Sequence, residues 1–236
     1  MSKYPITFIR NVSQFMEKRL TLLFPGSFSP YTDGHHSLLM KYISEAEAQG
    51  YEVDDVRIIV SKKDRDSIPS KINLWFMESL YKQDTRIRPS LAEKKSPIGD
   101  CYAIAKSEWE DARMNGRFVA MVASTKDDDE RLGQFKTDLD KAKRGEHVIT
   151  LKVNNEPTVY TGRKDGYEGK PISASVARQD LRNNDRDSFR TNYGRILEYS
   201  HNKNMSKYVD KLFSILKGKV SENPDAETEE KLEGME

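Results

Sequence analysis

Apolar positions recur along the chain with two alternating periods. Leu22-Leu23-Phe24 is a short continuous run, and beyond a turn Leu38, Leu39, Tyr42, Ile43 and Ala46 recur at helical spacing until Gly50. That pair reads as a strand followed by a helix. The alternation then repeats: an apolar run at 56–60, a helical period over 73–81, a short strand-like run at 85–88, a helix over 98–114, a run at 118–123, a polar helix over 131–143 and a last run at 148–153. Five strands with helices between them predict an α/β fold. Parallel neighbours need crossovers, and crossover helices cover the sheet, so the expected form is a Rossmann-like open parallel five-stranded sheet with helices on both faces.

Past this pattern, Gly162, Gly166, Gly169 and Pro171 mark 154–171 as an irregular loop or small hairpin. Two C-terminal helical stretches follow, over 174–200 with a break and over 205–217; in the second, Met205, Tyr208, Val209, Leu212, Phe213 and Leu216 share one face. The tail 221–236 is acidic and poor in bulky apolar residues, which predicts disorder. The implied organisation is an N-terminal extension (1–20), a main domain (21–185), C-terminal helices (186–220) and the tail.

Composition narrows the partners. With 39 Lys+Arg against 38 Asp+Glu there is no global field to attract nucleic acid or an anionic membrane, so neither is expected as a partner and an anion site must be built locally. A single cysteine, Cys101, excludes an intrachain disulfide framework and suits a reducing compartment. No run of ~18 apolar residues and no secretory pattern is present, so the expected location is cytoplasmic. Self-association stays open.

The chemistry concentrates at the first strand's exit, in LLFPGSFSPYTDGHHSLL (22–39). In an open parallel sheet ligands bind beyond the carboxyl ends of the strands, where a turn such as Gly26-Ser27-Phe28 lets a phosphate approach backbone N–H groups. Thr32 or Asp33 would cap the next helix, Gly34 would permit a tight backbone, and His35 would lie in the first turn. A helix N-terminus lowers a histidine's pKa, which favours a neutral, hydrogen-bonding imidazole. His36 is expected to be a packing or surface neighbour and not a second catalyst.

The stretch Gly26-Ser27-Phe28-Ser29-Pro30-Tyr31-Thr32-Asp33-Gly34-His35 resembles the G-S-F-D-P-x-(H/T)-x-G-H motif of the nucleotidylyltransferase superfamily, with Ser29 where that family usually has Asp. A second segment, Ile172-Ser173-Ala174-Ser175-Val176-Ala177-Arg178, is similar to the family's I-S-S-T-x-x-R motif, with Ala174 for Ser and Ser175 for Thr. Among family members the chain looks most like nicotinamide-mononucleotide or pantetheine-phosphate adenylyltransferases, since it keeps the later Arg178 and lacks the R-T-E-G-I-S-T-T stretch of cytidylyltransferases.

The resemblance implies transfer of a nucleotidyl group from ATP, or from CTP as the alternative, to a phosphorylated small-molecule acceptor, with release of pyrophosphate and with Mg²⁺ offsetting charge. It implies Thr32, His35 and Arg178 as catalytic residues and Gly26, Ser27, Phe28, Gly34, Ser173 and Ser175 as nucleotide-binding. Lys62, Lys63 and Arg65 after the second strand and Arg86 and Arg88 at the third are candidates for the acceptor, against a solvated loop and edge-strand protection respectively. Asp127, Asp128 and Asp129 could recruit Mg²⁺ or form a solvated run. A non-catalytic nucleotide-binding or assembly protein that retains the fold is the other alternative.

Overall fold

The structure is a computed structural model that describes residues 18–109, 116–123, 128–153, 156–163, 165–200 and 202–220. Most of the N-terminal extension, the expected helix end at 110–114, residues 124–127 and the acidic tail lie outside the described residues.

Strand β1 (Lys18–Gly26) runs into helix α1 (Asp33–Ala48), β2 (Tyr51–Val60), α2 (Ser70–Tyr81), β3 (Ile87–Leu91), α3 (Pro97–Ser107), β4 (Phe118–Met121) and α4 (Asp128–Lys141). Among the described residues the sheet has four parallel strands in the order β3-β2-β1-β4. β1 pairs with β2 from Lys18↔Tyr51 to Gly26↔Val60 and with β4 from Leu20↔Phe118 to Leu23↔Met121. Because successive side chains point to opposite faces, Leu22, Phe24, Ile58 and Ala120 enter one core, whereas Leu23, Ile59, Val119 and Met121 enter another. The second core is closed by Cys101 and Ala105 of α3 and Phe135 and Leu139 of α4. Helices therefore cover both faces, as the near-continuous apolar runs anticipated.

The fifth strand expected over 148–153 is not formed. Val148 makes one parallel bridge to Val119, with Val119 N–H donating to the His147 carbonyl and Ile149 N–H to the Val119 carbonyl, and the pairing stops there. β4 is only four residues long, so it presents little edge, and Leu151 turns into the core shared with the C-terminal helices. β3 also sits later than the run at 85–88 and contains Pro89. Bonds from Val56 N–H to the Arg86 carbonyl and from Ala92 N–H to the Val60 carbonyl direct the even-numbered peptides toward β2. Pro89, an odd position, lacks its N–H on the outer side of an edge strand, where it costs no ladder bond.

Residues 158–163 and 165–172 form a small hairpin closed by a Val159↔Pro171 bridge. Then come α5 (Ala174–Arg182), α6 (Arg186–Arg190), a 3₁₀ turn (Thr191–Tyr193), α7 (Gly194–Tyr199) and α8 (Met205–Leu216). Their apolar residues, Phe189, Tyr193, Ile196, Val209 and Leu212 among them, join the core that contains Leu39 and Phe76. Among the described residues no helix is long and apolar enough to cross a membrane.

Candidate functional site

A cavity of about 600 Å³ opens at the carboxyl ends of β1 and β4. β1 is followed by a partner on one side and β4 lies on the other, so this is the point where strand order reverses and the loops diverge to leave a crevice. Its wall includes Gly26, Ser27, Phe28, His35, Arg65, Ser175 and Arg178, seven of the residues the sequence singles out.

The β1–α1 turn is built around a ring. Phe28 has φ 49, a left-handed conformation, and its side chain folds back over Gly26, where an added Cβ would lie 2.7 Å from the ring. Glycine at 26 is thus required by the close approach of Phe28. The Phe28 ring meets Phe24, Tyr31 and His35 edge-on, and Tyr31 stacks on His35 at 5.5 Å between centroids.

Thr32 is the N-cap of α1, and the half-buried His35 reaches back to it in the place a Glu or Gln takes in a capping box. The Thr32 N–H donates to His35 Nδ1 at 3.1 Å, and Thr32 Oγ1 lies 3.1 Å from the same nitrogen. Nδ1 is therefore the acceptor, and in the neutral ring the proton sits on Nε2, the donor that His35 can offer to the cavity. Burial lowers the His35 pKa to about 4, so the ring is neutral at pH 7. The sequence leads to the same neutral form by way of the helix N-terminus; in the fold the cause is desolvation among aromatic rings.

Gly34 joins the two motifs. A Cβ there would lie 2.6 Å from the Ile172 carbonyl oxygen, so the first turn of α1 rests directly on the backbone leading into α5. Ser173 caps α5, its Oγ accepting from Val176 N–H at 3.4 Å and lying 2.8 Å from Ser175 Oγ; Ser175 lines the cavity. From the next turn Arg178 donates through Nη1 to the Ser29 carbonyl at 2.6 Å, and its Nε lies 3.1 Å from Asp66 Oδ2. Burial lowers the Arg178 pKa and Asp66 acts in the opposite direction, while Arg65 and Arg182 add to the lowering by repulsion. Arg178 so pins the β1–α1 turn to α5 while presenting its guanidinium to the cavity.

Asp33, a candidate cap for α1, caps another helix. Its carboxylate accepts from Arg195 N–H at 2.8 Å and Ile196 N–H at 2.9 Å, in the first turn of α7. Burial raises its pKa to about 6, and the two N–H bonds hold it down from rising further. His36 is buried, its Nδ1 2.8 Å from Tyr81 Oη, which in turn lies 2.7 Å from Tyr31 Oη. This chain braces Tyr31 from behind and, as expected for His36, stands outside the cavity wall.

The acceptor candidates separate. Arg65 lines the cavity, and Lys62 and Lys63 are exposed at the same end of the sheet, Lys62 Nζ donating to the Glu93 carbonyl at 3.1 Å. Arg86 and Arg88 lie toward the amino end of β3, away from the cavity, and are held by Asp84 and Glu47 and by Asp55.

Two wall features escaped the sequence reading: Ser61, and the start of α3, where Ser96, Pro97 and Ile98 face the cavity. Ser-Pro ahead of an apolar period was a usable signal for that helix start. Three helix N-termini consequently open on one crevice, each favouring negative charge. For Mg²⁺, no three His, Cys, Asp or Glu side chains among the described residues group to hold a metal, and the side chains of Asp128 and Asp129 are not described. Asp127 lies outside the described residues.

No protein-family model matches the chain, and no curated protein matches it either.

Proposed function

We propose that the protein is a nucleotidylyltransferase with a Rossmann-like sheet, moving a nucleotidyl group, adenylyl in preference to cytidylyl, from an NTP to a phosphorylated acceptor. The observation that supports this reading most is the convergence of His35 and Arg178, 143 positions apart in the sequence, on one crevice at the strand-order reversal. An oxygen of the acceptor phosphate bonds to the α-phosphorus while the α–β bridging P–O bond breaks, and pyrophosphate leaves with that electron pair. Such a displacement needs alignment and charge stabilisation more than a nucleophilic side chain.

Within it the neutral His35 donates Nε2–H to a non-bridging α-phosphate oxygen, a bond that strengthens as negative charge grows there. Thr32 holds the ring in that tautomer through its N–H. The first turns of α1 and α5, with the hydroxyl of Ser175 and the guanidinium of Arg178, grip the leaving phosphates. Arg65 shares the cavity wall with Arg178 and adds a second guanidinium for phosphate.

A second reading, a non-catalytic nucleotide-binding protein, draws on Arg178 being engaged with Ser29 and Asp66. One assay separates the readings: pyrophosphate release from ATP and CTP across a panel of phosphorylated acceptors, with binding of each nucleotide followed by thermal shift. Binding without turnover for any acceptor would favour the second reading; absence of binding at millimolar nucleotide would refute both.

A further inference from the structure

The β2–α2 connection carries a tight two-residue turn. Arg65 and Ile68 pair across it, Ile68 N–H donating to the Arg65 carbonyl at 2.9 Å, and the two central residues, Asp66 and Ser67, have φ 51 and 60. Consecutive left-handed residues are the mark of a type I′ turn, a conformation that Asp and Asn tolerate better than most side chains. Ile68 is fully buried and Ser70 N–H donates to Asp64 Oδ1 at 2.8 Å, so the base of the turn is anchored and the Asp66 side chain is the part able to move.

That side chain lies between two arginines. Asp66 Oδ2 is 3.1 Å from Arg178 Nε and 3.6 Å from Arg65 Nε, and both arginines line the cavity. The oxygen is buried, yet it has no hydrogen bond of acceptable geometry among the described residues. The contact thus neutralises charge without the directed N–H···O bonds that make a guanidinium–oxyanion pair strong. A phosphate, with three oxygens free to align, meets the same two guanidiniums better.

We propose that Asp66 is an autoinhibitory carboxylate: it occupies the Arg65–Arg178 clamp in the ligand-free protein and must rotate out when a polyphosphate binds, so that it sets the affinity of the site. This rests on the cavity being an anion site, as the proposed function requires. Without Asp66 the two guanidiniums and neighbouring Arg182 would repel one another, so the carboxylate also keeps the empty site intact. The ligand takes over that task as it displaces the side chain.

The test uses the full chain and inorganic tripolyphosphate as probe, by calorimetric titration. Asp66→Asn keeps the left-handed turn and removes the charge; Asp66→Gly does the same with a residue for which positive φ carries no penalty. Both variants should bind tripolyphosphate at least ~10-fold more tightly than the wild type, a gain of about 1.4 kcal/mol. Their binding should also weaken more steeply with added salt, because bare guanidiniums recruit solution anions that the ligand must release. A role confined to shaping the turn would change melting temperature and leave the salt slope alone. Unchanged or weaker affinity in both variants overturns the proposal while leaving the anion site standing. If tripolyphosphate and ATP bind neither wild type nor variants, the proposal and the functional reading fall together.

Discussion

Replacing Gly34 by Ala adds one methyl group at the place where the two motifs touch. The new Cβ would sit 2.6 Å from the Ile172 carbonyl oxygen, whereas ordinary contact begins at 3.4 Å, so α1 and the start of α5 must separate by about 0.8 Å. The neighbour is backbone and cannot rotate away. Overpacking of this kind costs ~1–3 kcal/mol, and at about 2–4 °C per kcal/mol for a domain of this size the melting temperature should fall by roughly 5 °C. Because the displaced segments are the ones proposed to grip phosphates, nucleotide affinity should fall as well, and a ~1 Å misalignment is enough for a ~10²-fold loss of turnover. The control is the same substitution at Gly133 in α4, where nothing lies within 4 Å of the new methyl. There Ala should stabilise by ~0.5–1 kcal/mol through helix propensity. Thermal unfolding by circular dichroism and ATP titration of both variants are the measurements. If Gly34→Ala melts like the wild type and binds ATP as well, the two motifs are not in the contact described, and the geometry behind the proposed function is lost.

Removing the imidazole in His35→Ala should lower turnover by at least ~10²-fold with little change in melting temperature, whereas His36→Ala, which breaks the bond to Tyr81, should reverse that pattern; pyrophosphate release and unfolding curves on the two proteins decide. Arg178→Ala should raise KM for the NTP and spare KM for the acceptor, with only partial rescue in Arg178→Lys because an ammonium cannot form the fork, and equal effects on both substrates would contradict the assigned contact. Burial lowers the pKa of His36 to about 4, so the unfolded chain takes up its proton first and stability from this group rises with pH between about 4 and 6.5. Asp33, raised to about 6, works the other way, its contribution declining as pH climbs through about 4 to 6. Chemical denaturation across that window should therefore show a steeper rise with pH in Asp33→Asn than in the wild type; a shallower one contradicts the buried, ionisable carboxylate.

The elements legible in the sequence were those in which local pattern and tertiary burial agree. Leu22-Leu23-Phe24 and the run at 56–60 are continuous apolar stretches because the strands are covered on both faces, and both became central strands. The run at 148–153 has the same look and made a single bridge, since the length of a ladder is set by the neighbouring edge, here a four-residue β4 far away in sequence. Within the site, Gly26 reads as part of a turn that lets a phosphate approach and Gly34 as permitting a tight backbone, yet each is held by a protein contact, with Phe28 and with Ile172. Asp33 looked like a local cap and found its partners in Arg195 and Ile196. Asp66 carried no periodic or motif signal at all, because its meaning comes from which cations the fold places on either side of it.

The bonds from Arg195 and Ile196 to Asp33 also fix an order of events during synthesis. A nascent chain is extruded from its N-terminus, and β1 to β4 can pair as soon as residue 121 has emerged. At that moment Asp33, a carboxylate destined for the interior, still faces water, and neither Ile172 nor Arg178 has been translated. The first turn of α1 gains these two bonds only when the segment near Ile196 swings back and closes a loop of more than 160 residues. A ribosome stalled beyond the sheet but short of α7 would thus hold a helix-covered sheet in which Asp33 still lacks its two N–H partners.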